Sequence, residues 1–177
     1  VAFHLGHRVS RDLDLFGPAK ASFAPFEKFA ETAQGDVKIV RVGEATLHMR
    51  LGSVPIDVVR YPYPLLEPTL AGPLDFPTAG LLDLATNKLA AIATRGLRRD
   101  FWDLYVILQS GVTLKKACGA YKKRFGVAWS DLYHVLRGLS YFEELEPALP
   151  SGMTPKLWAE VQRHFEEEVP KLIIPSR

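Results

Sequence analysis

The sequence predicts an α+β protein, because strand-like alternation fills residues 11–60, helix-like periodicity follows residue 78, and a run rich in Pro and Gly separates them. At 177 residues, 47% hydrophobic and 24% charged, the chain is long enough to bury a core. It reads as one compact domain, or one domain with an appended helical part, with an α/β core over residues 1–77 and helices over 78–177. Composition excludes several classes of function. A net charge of +2 exerts no global pull on nucleic acid, although local basic clusters remain. Cys118 is the only cysteine, which rules out an intramolecular disulfide and a cysteine-rich zinc site and fits a reducing cytosol. No run approaches the roughly 18–20 apolar residues needed to span a bilayer, so the expected location is the cytoplasm, away from membranes. The chain opens at Val1 and both methionines, Met49 and Met153, are internal, so further residues are expected upstream.

Taken in order, Val1-Ala2-Phe3-His4-Leu5 before Gly6 reads as the last turn of a helix with glycine at its C-terminal end. His4 and His7 lack a third nearby ligand and read as structural or exposed. The run Gly6-His7-Arg8-Val9-Ser10-Arg11-Asp12-Leu13-Asp14-Leu15-Phe16 organises the rest. On a strand over residues 11–16, Asp12 and Asp14 project from one face while Leu13, Leu15 and Phe16 enter a core. Two acids one pleat apart suit a hard divalent cation such as Mg²⁺, which shares carboxylate oxygens with substrate phosphates. A strand with an acidic wet face gives the same pattern. Arg8 and Ser10, a cation and a hydroxyl where a loop enters the strand, suit phosphate oxygens.

After Gly17-Pro18, residues 25–33 form a short amphipathic helix whose Phe26, Phe29 and Ala30 share a face, and Gly35 stops it. Strands Val37–Val42, Thr46–Leu51 and Val54–Arg60, divided by Gly43-Glu44 and Gly52-Ser53, predict two consecutive hairpins. In the last of these, Asp57 interrupts an apolar run that reads as buried on both faces, which is costly for an unpartnered acid. Either it pairs with Arg50 or Arg60, or it is a third metal-facing acid beside Asp12 and Asp14. Residues 61–77 are a connector.

Thr78 is positioned to cap a helix over residues 79–95 that Gly96 closes, with Leu81, Ala85, Lys88, Ile92 and Arg95 along one stripe. Lys88 therefore interrupts an apolar face, so its head either snorkels to water or meets an anion. A second helix over residues 98–108 buries Phe101, Leu104, Tyr105 and Leu108. Asp100 and Asp103 lie three apart on an adjoining face, where helix-dipole complementation and chemistry are compatible roles. Three more helices follow: Leu114–Phe125 between Thr113 and Gly126, residues 131–144 after Ser130, and residues 155–168 with Thr154 as cap and Pro155 in the first turn. Lys115, Lys116, Lys122, Lys123 and Arg124 read as a solvated basic face, and Glu166-Glu167-Glu168 as exposed charge.

Three segments together are similar to the AbiEii-type nucleotidyltransferases, a branch of the DNA polymerase β-like superfamily that includes abortive-infection and toxin–antitoxin toxins. They are Leu5 to Phe16; Val54-Pro55-Ile56-Asp57-Val58-Val59; and Asp83-Leu84-Ala85-Thr86-Asn87-Lys88-Leu89-Ala90-Ala91-Ile92 with Arg95-Gly96 and Arg99-Asp100-Phe101-Trp102-Asp103-Leu104-Tyr105. The resemblance runs from residue 1 to about residue 108, with a looser helical match beyond. It implies a polymerase β-like core, a mixed or antiparallel sheet flanked by helices, and transfer of NMP from an NTP to a hydroxyl of RNA, tRNA first, or of protein. It further implies Mg²⁺ or Mn²⁺ as cofactor and an antitoxin as partner.

By the same resemblance Asp12 and Asp14 are the metal-binding acids, Ser10 and Arg8 contact nucleotide phosphates, and Lys88 holds the triphosphate. Asp100 and Asp103 complete the site from the second helix, and Asp57 matches the superfamily acid that helps activate the attacking hydroxyl. The assignment requires acids of an early strand and a lysine of a later helix to serve one pocket. Two departures stand out. The family's phosphate-cradling Gly-Gly-Ser/Thr turn belongs upstream of residue 1, and without it nucleotide binding is expected to be poor. Arg99-Asp100 replaces a frequent Lys-Asp, which keeps charge but alters reach, so Arg99 is given no role. The rival readings are a non-catalytic module of this fold that binds RNA or protein, and a metal-dependent phosphohydrolase.

Overall fold

The computed structural model describes residues 1–33, 35–72, 76–143, 145–146 and 148–173, with the backbone alone at 129–131 and 173. In chain order its elements are α1 (Ala2–Leu5), β1 (Leu13–Gly17), α2 (Ala24–Thr32), β2 (Val37–Val42), β3 (Thr46–Leu51), β4 (Val54–Arg60), β5 (Leu70–Ala71), β6 (Pro77–Thr78), α3 (Leu81–Thr94), α4 (Arg98–Gln109), α5 (Leu114–Phe125), α6 (Trp129–Leu139) and α7 (Pro155–Ile173). Packing divides the chain into two compact units, Val9–Tyr63 and Val1–Arg8 with Pro64–Arg177. A division at residue 77 follows the change in sequence period instead. The connector between packs with the helices, with Leu66 against their core.

Within Val9–Tyr63 the sheet order is β1-β4-β3-β2. The chain leaves β1 at one edge and crosses through α2 to the other, then returns by two antiparallel hairpins that lay β4 parallel to β1. Parallel neighbours need such a crossover. The second hairpin turns at Gly52, whose φ of 58° lies where glycine carries no Cβ penalty. One face of the sheet forms the core: Leu47, Met49 and Val58 are buried with Phe23, and Leu15, Ile39 and Ile56 pack around them.

Several expectations are corrected here. Leu15 enters this core, but Leu13 and Phe16 are 48% and 51% exposed. Phe16 is even-numbered, so strand alternation sends it to the carboxylate face, where its ring meets Tyr61 edge-on at 5.2 Å. Phe29 is also exposed, and Phe23, one residue before α2, is the anchor instead. β4 is buried on one face only, through Ile56 and Val58.

In the other unit, α3 packs against α4, α5 and α6, and α7 packs against α4, α5 and α6. Phe101 sits at the middle, with ring centroids 6.0 Å from Trp158 and 5.7 Å from Phe165. Each large side chain fully buried in this way contributes about 1.5–3 kcal/mol. α4 buries Trp102 and Ile107 alongside Phe101 and Leu104, while Tyr105 and Leu108 are only partly buried, so its core face is rotated from the sequence expectation.

The ends of the helices follow their caps. Thr113 accepts from the Lys116 N–H (3.2 Å) and Gly126 closes α5 at φ 66°, as the sequence indicates. Thr78 does not cap α3: its hydroxyl donates to the Leu70 carbonyl across the β5–β6 pair, and the Glu67 carboxylate accepts from the Leu82 N–H. α7 runs five residues past 168 and through Pro170, because buried Val169 and the packed Leu172 hold its last turn by tertiary contact. α6 ends at Leu139, and the Glu144 end and Ser130 cap expected from sequence lie outside the described residues and side chains. Arg124 leaves the basic face altogether. It is 4% exposed and its Nη1 binds Asp83 Oδ1 (3.1 Å), the Asp83 carbonyl (3.0 Å) and Thr86 Oγ1 (2.7 Å), which ties α5 to α3.

Candidate functional site

Strand register decides which side chains share the free face of the sheet. Asp14 on β1 lies directly opposite Asp57 on β4, Asp57 opposite His48 on β3, and His48 opposite Arg41 on β2. Residues opposite one another point the same way. Four polar side chains therefore form a row across the sheet, on the face away from Leu47, Met49 and Val58.

His48 Nδ1–H donates to Asp57 Oδ1 at 2.7 Å, with the two side chains 40% and 39% exposed. This answers the question of Asp57's partner with neither arginine. Arg50 Nη2 donates to the Ser53 carbonyl, and Arg60 points to the core side, donating to the Ala21 and Glu44 carbonyls over the Phe23 ring. Asp12 immediately precedes β1, half-buried, and the exposed Ser10 hydroxyl lies 3.2 Å from both its carbonyl and its Oδ1.

These carboxylates offer hard oxygen donors without a thiol, which suits Mg²⁺ or Mn²⁺ rather than zinc. Among the described residues no three His, Cys, Asp or Glu side chains form a ready-made metal cage.

The helical unit gathers a second set of charged groups. Lys88 Nζ lies 2.8 Å from Asp100 Oδ1 and 2.7 Å from Asp103 Oδ2. Arg8 grips Asp103 with both prongs, Nε to Oδ1 at 2.7 Å and Nη2 to Oδ2 at 2.8 Å, and His7 Nε2–H donates to the same Oδ1 at 2.8 Å. Arg95 forks onto Asp100 at 3.0 and 3.2 Å. Both aspartates are fully buried. Burial alone would push the Asp103 carboxyl up, but the Arg8 hydrogen bonds and the Lys88 charge overcome it and hold the group well below the usual carboxylate range. Asp100 is lowered likewise: burial works against ionisation, and Arg95 and Lys88 outweigh it. His7 is shifted down by burial, against the pull of Asp103, so it stays neutral with its ring edge-on to Trp102 at 5.2 Å.

Of the residues singled out from sequence, the structure joins Lys88, Asp100, Asp103 and Arg8 in this network. Asp14 and Asp57 lie side by side in the sheet. Lys88 does not snorkel freely; its head sits on two carboxylates. Three participants were missed: His7, Arg95 and His48. Arg95 carried a signal, since it lies on the Lys88 stripe, two turns on from Lys88 and five residues before Asp100. His48 carried one too, because a hairpin turning at Gly52-Ser53 pairs Leu51 with Val54 and, three residues further, His48 with Asp57.

Among the described residues no helix is long and apolar enough to cross a membrane. A family model described as the nucleotidyl transferase AbiEii toxin of type IV toxin–antitoxin systems matches residues 1–174. The chain is 34% identical over 172 residues to the uncharacterized protein aq_aa25 of Aquifex aeolicus (strain VF5), which spans 93% of this chain and 80% of that protein. It is also similar to the crystal structure of JHP933 from Helicobacter pylori, at a TM-score of 0.47 and 16% identity over 94% of this chain and 78% of that one.

Proposed function

Because this chain belongs to the AbiEii nucleotidyl transferase family of type IV toxin–antitoxin systems, we propose that it moves an NMP from an NTP to a hydroxyl of RNA. The expected acceptor is tRNA, with protein as the alternative, and an antitoxin made nearby restrains the activity. The observation that carries this reading is the β1–β4 register, which sets Asp14 beside Asp57 on the free face of the sheet.

Asp12 and Asp14 are the groups that would hold Mg²⁺ or Mn²⁺. Such a cation lowers the cost of deprotonating the acceptor hydroxyl and offsets charge on the leaving pyrophosphate. The Asp57 carboxylate takes the hydroxyl proton as the acceptor oxygen bonds to the α-phosphorus and the bond to the β-phosphate oxygen breaks in line. Lys88 and Arg8 balance triphosphate charge, and the Ser10 hydroxyl donates to a phosphate oxygen. Asp100 and Asp103 act as positioning residues, since their oxygens are bound by Lys88, Arg8, His7 and Arg95.

The test incubates full-length protein with Mg²⁺, each α-labelled NTP in turn, and total tRNA. Label should move to RNA and fall by about 100-fold or more in Asp12→Ala and Lys88→Ala, the scale of losing an electrostatic contact to the transition state. Nucleotide or RNA binding without transfer supports the non-catalytic module, phosphate release without transfer supports the hydrolase, and label on the protein fraction moves the acceptor to protein.

A further inference from the structure

The His48–Asp57 pair is more than the sheet needs. Both groups lie on the face away from the core formed by Phe23, Leu47, Met49 and Val58, and each is about two-fifths exposed. Exposed ion pairs add little to stability. What the bond does fix is orientation. A carboxylate accepts only, so the proton in the 2.7 Å contact resides on His48 Nδ1, and the bond is made to Asp57 Oδ1 alone. Asp57 Oδ2 accepts no hydrogen bond from the described residues and keeps its basic lone pairs. Asp14 flanks Asp57 on the β1 side and His48 flanks it on the β3 side, so the imidazole braces the carboxylate from opposite the neighbouring acid. Arg41 lies beyond His48 on β2, with Arg50 two residues along β3 on the same face.

We propose that His48 is a positioning residue for proton removal from the acceptor hydroxyl: by binding Oδ1 it locks the Asp57 carboxylate in place and presents Oδ2 as the basic oxygen. The inference rests on the transferase reading above. The acceptor O–H bond breaks, its proton passes to Asp57 Oδ2, the acceptor oxygen bonds to the α-phosphorus, and pyrophosphate leaves with the electron pair of the broken bond. His48 keeps its Nδ1 proton throughout and touches no reacting atom.

The experiment is steady-state label transfer to total tRNA by the full-length protein, comparing wild type with His48→Ala, His48→Gln, Asp57→Asn and the His48→Ala/Asp57→Asn double variant. His48→Ala should lower kcat by about 10- to 100-fold, the usual scale for groups that orient a reacting residue. KM for the NTP should stay within about twofold. Gln restores a donor within reach of Oδ1 and should recover most of the lost rate. With Asp57 already changed, His48→Ala should cost nothing further, since coupled residues are not additive. If the wild type transfers label but His48→Ala keeps its kcat within about twofold, or loses rate equally in the Asp57→Asn background, the role of His48 is overturned and the transferase reading survives. If the wild type transfers nothing to any acceptor tried, the transferase reading falls and takes this role with it.

Discussion

Asp103 in the helical unit and Asp57 in the sheet unit carry the same carboxylate in opposite settings. Asp103 is fully buried and held by Arg8, Lys88 and His7, whereas Asp57 is 39% exposed with one imidazole on one oxygen. Burial makes an acid dependent on its partners, and the partners in turn use up its lone pairs. A carboxylate so occupied is a poor metal ligand and a poor base, but it is a firm anchor for cations. The exposed acid has the reverse character: little structural duty, and one oxygen that accepts no hydrogen bond from the described residues.

The largest effect that would break this contrast is on stability. Asp103→Asn strips a buried negative charge from beneath Arg8 and Lys88 and leaves both cations short of a counter-charge in a desolvated place. Removing one partner of a buried pair costs about 3–5 kcal/mol. That is a large fraction of the roughly 5–15 kcal/mol that a folded protein has in total. Urea unfolding monitored by far-UV circular dichroism should show the midpoint falling accordingly. A loss under about 1 kcal/mol would mean that the network is no anchor.

Acid titration sharpens the same comparison at intermediate size. Asp100 and Asp103 have folded pKa values below their unfolded ones, so their stabilisation is fully present above about pH 4 and is lost as pH falls further through the folded values. His7 and His164 are also lowered, by burial, so the unfolded chain takes up their protons first. Their contribution is present above about pH 6.5 and declines below it. Stability measured by urea unfolding from pH 8 to 3 should therefore drop in two windows, one below about 6.5 and one below about 4. The drop below about 4 should flatten in Asp103→Asn.

The same contrast explains what could be read before the structure. The strands Val37–Val42, Thr46–Leu51 and Val54–Arg60 are legible to the residue because alternation and two-residue glycine turns are local signals. α5 is legible because Thr113 and Gly126 cap it locally. The partners of Asp83 and Asp103 were not, because Arg124 and Arg8 come from 41 and 95 residues away. A buried ion pair leaves no period in the sequence, and Arg124 among lysines looks like one more surface charge. Chain direction misled too: Phe16 continues the apolar spelling of β1 but falls on the acid face by parity. Strand parity and helix period single out Asp12, Asp14, Asp57 and Lys88 as polar residues set against apolar runs, which is a local signal.

The smallest effect is expected at Asp57, and its smallness is the point. Asp57→Asn removes a charge that is 39% exposed, and its partner His48 is 40% exposed, so solvent screens the pair and readily rehydrates the imidazole once it is broken. The hydrophobic partners of β4, Ile56 and Val58, lie on the other face and are untouched. The change in unfolding free energy should stay within about 1 kcal/mol, the range of exposed pairs. Asp57 also sits between Asp14 and His48 in a central strand, so neutralising it relieves repulsion with Asp14 even as it weakens the bond to His48, and the two effects oppose one another. A urea midpoint that moves as far for Asp57→Asn as for Asp103→Asn would place Asp57 among the structural acids. A midpoint that barely moves, in a variant that has lost label transfer, separates the acid that holds the protein together from the acid that works on its substrate.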